Sequence, residues 1–243
     1  IGKLDIGDAA SGFIDMVRNG LRPEDAHQAQ FIPFDFIDDH AYNIFDTEAC
    51  CRQPLEHHRA FLTNFLSTVC MPLTGTPFEG MNQIIDATIA AAYEMCSDET
   101  YSTHIKKYRQ TDNRLIDDAL AQQGIETNDH TTWWEVADSF AARGDMRLAR
   151  IATQHAVPIV QELMYATNLP QVKDNYGSNT PTSGGETGLE VFQRYLKTFI
   201  GKYPTLNRPT RLDLGDARIV ALDIGRVAPE GLGENARQSE LMY

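Results

Sequence analysis

The sequence predicts an α/β protein whose sheet strands lie at both ends of the chain, with a large, mainly α-helical insertion between them. Three observations carry that expectation. A short apolar run, Lys3 to Ile6, is closed by Gly7-Asp8, the pattern of a buried strand entering a turn. A second run, Arg218 to Ile224, follows Gly215-Asp216 near the other end. Between them, apolar residues recur mostly at helical spacing.

After the first strand, Phe13, Ile14, Met16 and Val17 fall on one face of a helix over 10–19, with Ser11 near its start and Gly20 at its end. Gln30 to Phe34 reads as a second short strand, and Ala41 to Phe45 as extended chain before the Asp46-Thr47 break. Leu55 to Val69 and Gly80 to Cys96 each carry one broad apolar face, so both helices are expected to be buried together against the sheet. Thr103 to Gln122, Thr132 to Ala142 and Met146 to Tyr165 predict further helices, separated by Asn128-Asp129 and Gly144-Asp145. Leu169 to Gly185, rich in Pro, Asn, Gly, Ser and Thr, reads as a linker. Helix returns at Leu189 to Lys202, and Leu212 to Leu214 is expected to pair with the last strand. The resulting division is an α/β portion at 1–100, a helical excursion and linker at 101–185, and a return to the α/β core at 186–243. Neither an internal repeat nor a low-complexity tract is apparent.

The chain has 243 residues, 42% hydrophobic and 23% charged, enough to bury one or two cores. Its formal charge of −13 argues against nonspecific binding to nucleic acid or anionic lipid, which requires a basic surface. No stretch reaches the ~18 apolar residues of a membrane span, and the start has no basic segment leading into an apolar core. Cys50, Cys51, Cys70 and Cys96 are irregularly spaced in a chain too long to need staples, which predicts reduced thiols. The chain opens at Ile1 on a buried strand and stops at Tyr243 in the opening turns of a helix, so it reads as a segment of something longer.

Four stretches carry a family resemblance: Leu4 to Leu21, Tyr42 to Pro72, Pro77 to Glu94 and Ala217 to Gly231. Together they resemble the middle of the IcmB/DotO ATPases of Dot/Icm type IV secretion systems and the related TraU ATPases of IncI-type conjugative plasmids. One departure is at His58, which stands where relatives carry an acidic residue in the run Pro54 to Leu62. The resemblance implies a slice of a P-loop ATPase core, with the phosphate loop (Walker A) and the acidic Walker B strand outside it. It further implies ATP and magnesium in the parent protein, a homo-oligomer, other secretion components as partners, and a cytoplasmic position on the inner membrane reached through those partners. The residues agree on one point: no Gly-x-x-x-x-Gly-Lys-Ser/Thr occurs, since Gly2-Lys3 runs into Leu4 and Gly201-Lys202 into Tyr203. Hydrolysis by this chain alone is therefore not expected, and a non-catalytic helical scaffold of a secretion complex is the alternative.

Within that frame, Asp5 and Asp8 flank the turn after the first strand, where open α/β sheets collect ligands. They either orient water or hydrated magnesium beside a nucleotide, or cap the following helix. Arg52 and Arg59 stand out in an acidic chain, either as arginines offered in trans to a neighbouring subunit's γ-phosphate or as ion-pair partners of Asp46 or Glu56. Adjacent Cys50-Cys51 and His57-His58 have awkward spacing for zinc, so no metal site is expected. Trp133-Trp134 reads as a core anchor rather than a base-stacking platform, because basic neighbours are few.

Overall fold

The computed structural model describes residues 2–5, 9–72, 78–99, 102, 104–178, 185–229 and 231–242. Strands β1 (Gly2–Asp5), β2 (Ala29–Pro33) and β3 (Ile219–Asp223) form an all-parallel sheet in the order β1-β3-β2. The register sets Leu4 beside Leu222 and Asp5 beside Asp223, with Phe31 beside Ala221 and Pro33 beside Asp223 on the other edge. The strands expected at Lys3 to Ile6, Gln30 to Phe34 and Arg218 to Ile224 are thus present, although Ile6 lies outside the described residues.

Alternation along β3 divides the two faces of the sheet. Ala221, fully buried, and Ile219 face helix α1 (Ala9–Gly20), where Ile14 and Ala29 complete a small core. Alanine at both 29 and 221 leaves room for the helix, and Arg18 Nε donates to the Ala29 carbonyl at 2.8 Å, fastening α1 to β2. Leu222 points the other way, onto a separate cluster of Ile224, Val227 and Ala228 with Phe34, Phe36 and Met242.

Most of the apolar interior belongs to helices. α2 (Glu56–Cys70), α3 (Met81–Cys96), α4 (Arg114–Gln123), α5 (Trp133–Ala142), α6 (Met146–Ala156), α7 (Val160–Ala166), α8 (Pro170–Tyr176), α9 (Gly188–Lys202) and α10 (Glu234–Met242) share one cluster running from Ile44 to Leu241. Its stripes have helical period: Leu62, Phe65, Leu66 and Val69 on α2, Ile84, Ile85, Thr88 and Ile89 on α3, and Phe192, Leu196 and Phe199 on α9. Phe65 and Phe199 meet edge to face at 5.8 Å. The pair α2 and α3 is buried together as the sequence implies, but against α7, α8 and α9 rather than against the sheet, whose own helix is α1.

Other departures have local causes. The helix expected from Thr103 starts only at Arg114, because Asn113 caps it by accepting the Ile116 N–H and Thr111 turns through φ 83° just before. The single helix expected from Met146 to Tyr165 is broken after Ala156, where Val157 is extended ahead of Pro158, as proline requires of its predecessor. Pro170 starts α8 inside the expected linker, a favoured first position; residues 179–184 are outside the described part. Leu212 to Leu214 forms no strand; the Arg211 and Leu212 amides instead both donate to the Ala41 carbonyl. The turn between α5 and α6 uses Gly144 at φ 82° and the Asp145 cap on Leu148.

Gly188, first residue of α9, has no room for a side chain: an added Cβ meets Phe78 Cε1 at 2.6 Å and Ile84 Cδ1 at 2.7 Å. Gly188→Ala is therefore expected to lower stability by about 1–3 kcal/mol despite alanine's better helix propensity. Denaturant unfolding checks this; an unchanged or raised midpoint means that Phe78 and Ile84 do not press on this turn.

Candidate functional site

The carboxyl edge of the sheet gathers the first set of candidates. Asp5 ends β1 in register with Asp223, the last residue of β3, while Asp8 lies outside the described residues. Asp223 Oδ1 accepts the Gly225 amide at 2.9 Å, and its carbonyl accepts the Phe34 amide at 2.8 Å. Asp35, just past β2, faces Arg226 at 3.4 Å. Both Leu4 to Gly7 and Leu222 to Gly225 read Leu-Asp-Ile-Gly, and the structure pairs their first two residues side by side. That short identity was the available signal for Asp223, which the sequence reading did not single out.

The two candidate arginines are engaged within the chain. Arg52 reaches Asp98 at 2.9 Å and Asp138 at 2.7 Å, donates to the Cys50 carbonyl, and lies 4.6 Å from the centre of the Trp134 ring, with its side chain only 14% exposed. Arg59 grips both carboxylate oxygens of Asp86 at 2.8 Å. The partners are thus Asp98, Asp138 and Asp86 rather than Asp46 or Glu56. Hydrogen bonding from Arg52 holds the Asp138 carboxyl below its ordinary range, against the effect of burial. Trp134 is buried in the helical core and donates its indole N–H to the Cys96 carbonyl at 2.7 Å.

Cys50 and Cys51 sit where the chain bends sharply. Cys50 adopts φ 61°, unusual for a residue with a Cβ, and its amide is held by Thr153 Oγ1 at 2.9 Å. Burial first, then the neighbouring Asp138, pushes the Cys50 thiol up to about 11, so it is a poor nucleophile at neutral pH. His58 Nε2 contacts the Ile44 carbonyl at 2.8 Å. Among the described residues no three His, Cys, Asp or Glu side chains are grouped to hold a metal ion.

A cleft of about 860 Å³ opens between residues 42–58, the start of α4, the polar face of α6 and the loop 210–215. Asp46 lines it, and its Oδ1 is buried without a hydrogen-bond partner. Burial pushes this carboxyl up from 3.8 to about 6, against the polar groups of Thr210, Gln154 and Asn43 and the charge of Arg150. His155, across the cleft, stacks on Trp133 at 4.2 Å and lies 3.1 Å from the Asn113 amide. Burial, with the positive charges of Lys106 and Arg211, lowers it from 6.5 to about 4, so it is neutral at physiological pH. Arg147, Arg150 and Arg211 also line the cleft, with Arg147 tied to Asp213 at 3.0 Å. The sequence offered one weak hint of this site, the i,i+3 spacing of Arg147 and Arg150. The convergence of Asp46, His155 and Arg211 from distant segments left no local pattern.

Asp46 and His155 oppose each other as pH falls. The folded chain binds a proton on Asp46 more readily than the unfolded chain, so that contribution grows as pH drops through 6. The unfolded chain protonates His155 first, so that contribution is lost between 6.5 and 4. Asp46→Asn leaves only the loss, and stability should then fall on acidification from pH 7 to about 4.5 by about 1–3 kcal/mol more than in the parent chain. Urea unfolding at both pH values tests this; parallel profiles would show that Asp46 titrates normally. Compared with protein-family models, curated proteins and solved structures, the chain matches none.

Proposed function

We propose that this chain is a core segment of a type IV secretion ATPase of the Dot/Icm and IncI conjugation kind, supplying sheet strands and nucleotide-flanking carboxylates to a P-loop motor. One observation carries the reading. The two resembling stretches at opposite ends of the chain, Leu4 to Leu21 and Ala217 to Gly231, include the end of β1 and all of β3, which pair in parallel with Asp5 and Asp223 at their carboxyl ends. In open α/β sheets that edge is where ligands collect, and two carboxylates on adjacent strands suit a hydrated magnesium ion beside a phosphate chain.

The other two resembling stretches contain α2 and α3, the centre of the helical core. In this reading the longer protein supplies the phosphate loop and Walker B strand, binds ATP and magnesium, and works as a homo-oligomer with other secretion components at the cytoplasmic face of the inner membrane. Among the described residues no helix is long and apolar enough to cross a membrane; attachment through partners is part of the proposal. Arg52 and Arg59 act in trans only if they leave Asp98, Asp138 and Asp86, which makes them weaker candidates than the two aspartates. The dominance of the helical cluster over the small sheet core favours a second reading, a helical scaffold without catalytic duty.

Two measurements separate these readings. The purified chain should hydrolyse no ATP above a buffer blank, because no residue run provides a phosphate cradle; magnesium-dependent turnover by this chain would overturn the proposal. In the longer protein, Asp5→Asn and Asp223→Asn should each retain nucleotide binding while lowering turnover by about 100-fold. Turnover per folded molecule that is unchanged in both variants would leave the scaffold reading standing.

A further inference from the structure

The cleft between residues 42–58, α6 and the loop 210–215 holds chemistry that the proposed ATPase role does not use. Arginines elsewhere in this acidic chain are mostly neutralised: Arg18, Arg22, Arg52, Arg59, Arg194 and Arg226 each have a carboxylate within 4.0 Å, as does Arg147 at the cleft's own wall. Arg150 and Arg211 form no ion pair among the described residues. Both nevertheless line the same cleft, in a molecule of net charge −13. Two guanidiniums left open on one concave surface provide fork-like donors suited to an oxyanion.

The remaining walls narrow the ligand further. Tyr42, Leu55 and Leu115 line the cleft as exposed large apolar side chains, giving a non-polar body somewhere to lie. Asp46 also lines the cleft, its Oδ1 buried beneath the surface without a hydrogen-bond partner. Glu48, Asp112 and Asp213 line the same cleft and repel a long phosphate chain, so a ligand with a single anionic group fits better than a nucleoside triphosphate or a nucleic acid. The volume of about 860 Å³ suits a small molecule.

We propose that this cleft binds a small molecule carrying one oxyanion, a phosphate or a carboxylate, with Arg150 and Arg211 holding the anionic group and the apolar wall holding its body. This site is separate from the carboxyl edge of the sheet and does not depend on the ATPase reading.

The test is calorimetric titration of the whole chain at low ionic strength with inorganic phosphate and, in a parallel arm, with propionate. ATP serves as the polyanion contrast. Saturable binding of at least one of the two small anions is expected, tighter than that of ATP, and the arm that saturates identifies the oxyanion. Arg150→Gln and Arg211→Gln should each weaken that binding by about tenfold, and the double variant should abolish it. Arg194→Gln removes the same charge from an exposed pair with Glu186 outside the cleft and should bind as the parent does. Both cleft arginines are exposed, so thermal midpoints of their ligand-free variants should match the parent's. Absence of saturation by either anion, unchanged binding in the double variant, equal weakening by Arg194→Gln, or tighter binding of ATP than of both small anions would each overturn the proposal.

Discussion

The sheet depends on one constraint: its middle strand comes from the far end of the chain. β1 and β2 are separated in sequence by α1 and a short connection, yet among the described residues neither pairs with the other and each pairs only with β3. Until β3 arrives, both strands present open backbone groups that a hairpin cannot satisfy, because parallel ladders require long connections. The helical body from α2 to α9 is that connection, and its packing must return the chain close to its start. The small sheet core of Ile14, Ala29 and Ala221 supplies little burial of its own, so the far larger helical cluster provides most of the stabilisation that holds the ends together.

Irregular chain closes the circuit where helices do not. Asn43 is fully buried, and its side chain donates to the Pro158 carbonyl at 2.9 Å and accepts the Phe45 amide, while its own amide donates to Thr210 Oγ1. One residue thereby links the start of the helical body, the break between α6 and α7, and the segment returning toward β3. Tyr93 adds a bond to the Phe45 carbonyl at 2.7 Å, and Thr153 one to the Cys50 amide. Segment 41–50 keeps its backbone satisfied through side chains from remote elements, which is why an extended, apolar-looking run does not become a strand. The same bonds set Asp46 beside Thr210 and α6, so the cleft is a by-product of the tie that returns the chain.

Charge is distributed according to that architecture. Arg52 lies half-sunk between two aspartates and an indole, joining the bend at Cys50 to α5 and to the end of α3. Such a group stabilises through the geometry of several bonds rather than through a single exposed pair, which is worth little. Arg150 and Arg211, by contrast, form no ion pair within 4.0 Å among the described residues.

Much of the fold was legible in the sequence because its signals are local. Short apolar runs next to Gly-Asp turns marked β1 and β3, and apolar stripes of helical period marked α2, α3, α5 and α9 to within a few residues. Pro158 and Pro170 contained the break and the new helix start, but both were outweighed by their surroundings, helical periodicity in one case and turn-rich composition in the other. Asp5 could be named as a strand-end carboxylate from its neighbours; its pairing with Asp223 could not, nor could the meeting of Asp46, His155 and Arg211. By itself the sequence determined which segments form elements and which residues are acidic, basic or apolar, since those follow from backbone preference and side-chain chemistry over a few residues. Only the tertiary structure decided which carboxylates stand on adjacent strands, which arginines find acids and which charge is buried, because those depend on distances between segments that no local pattern encodes.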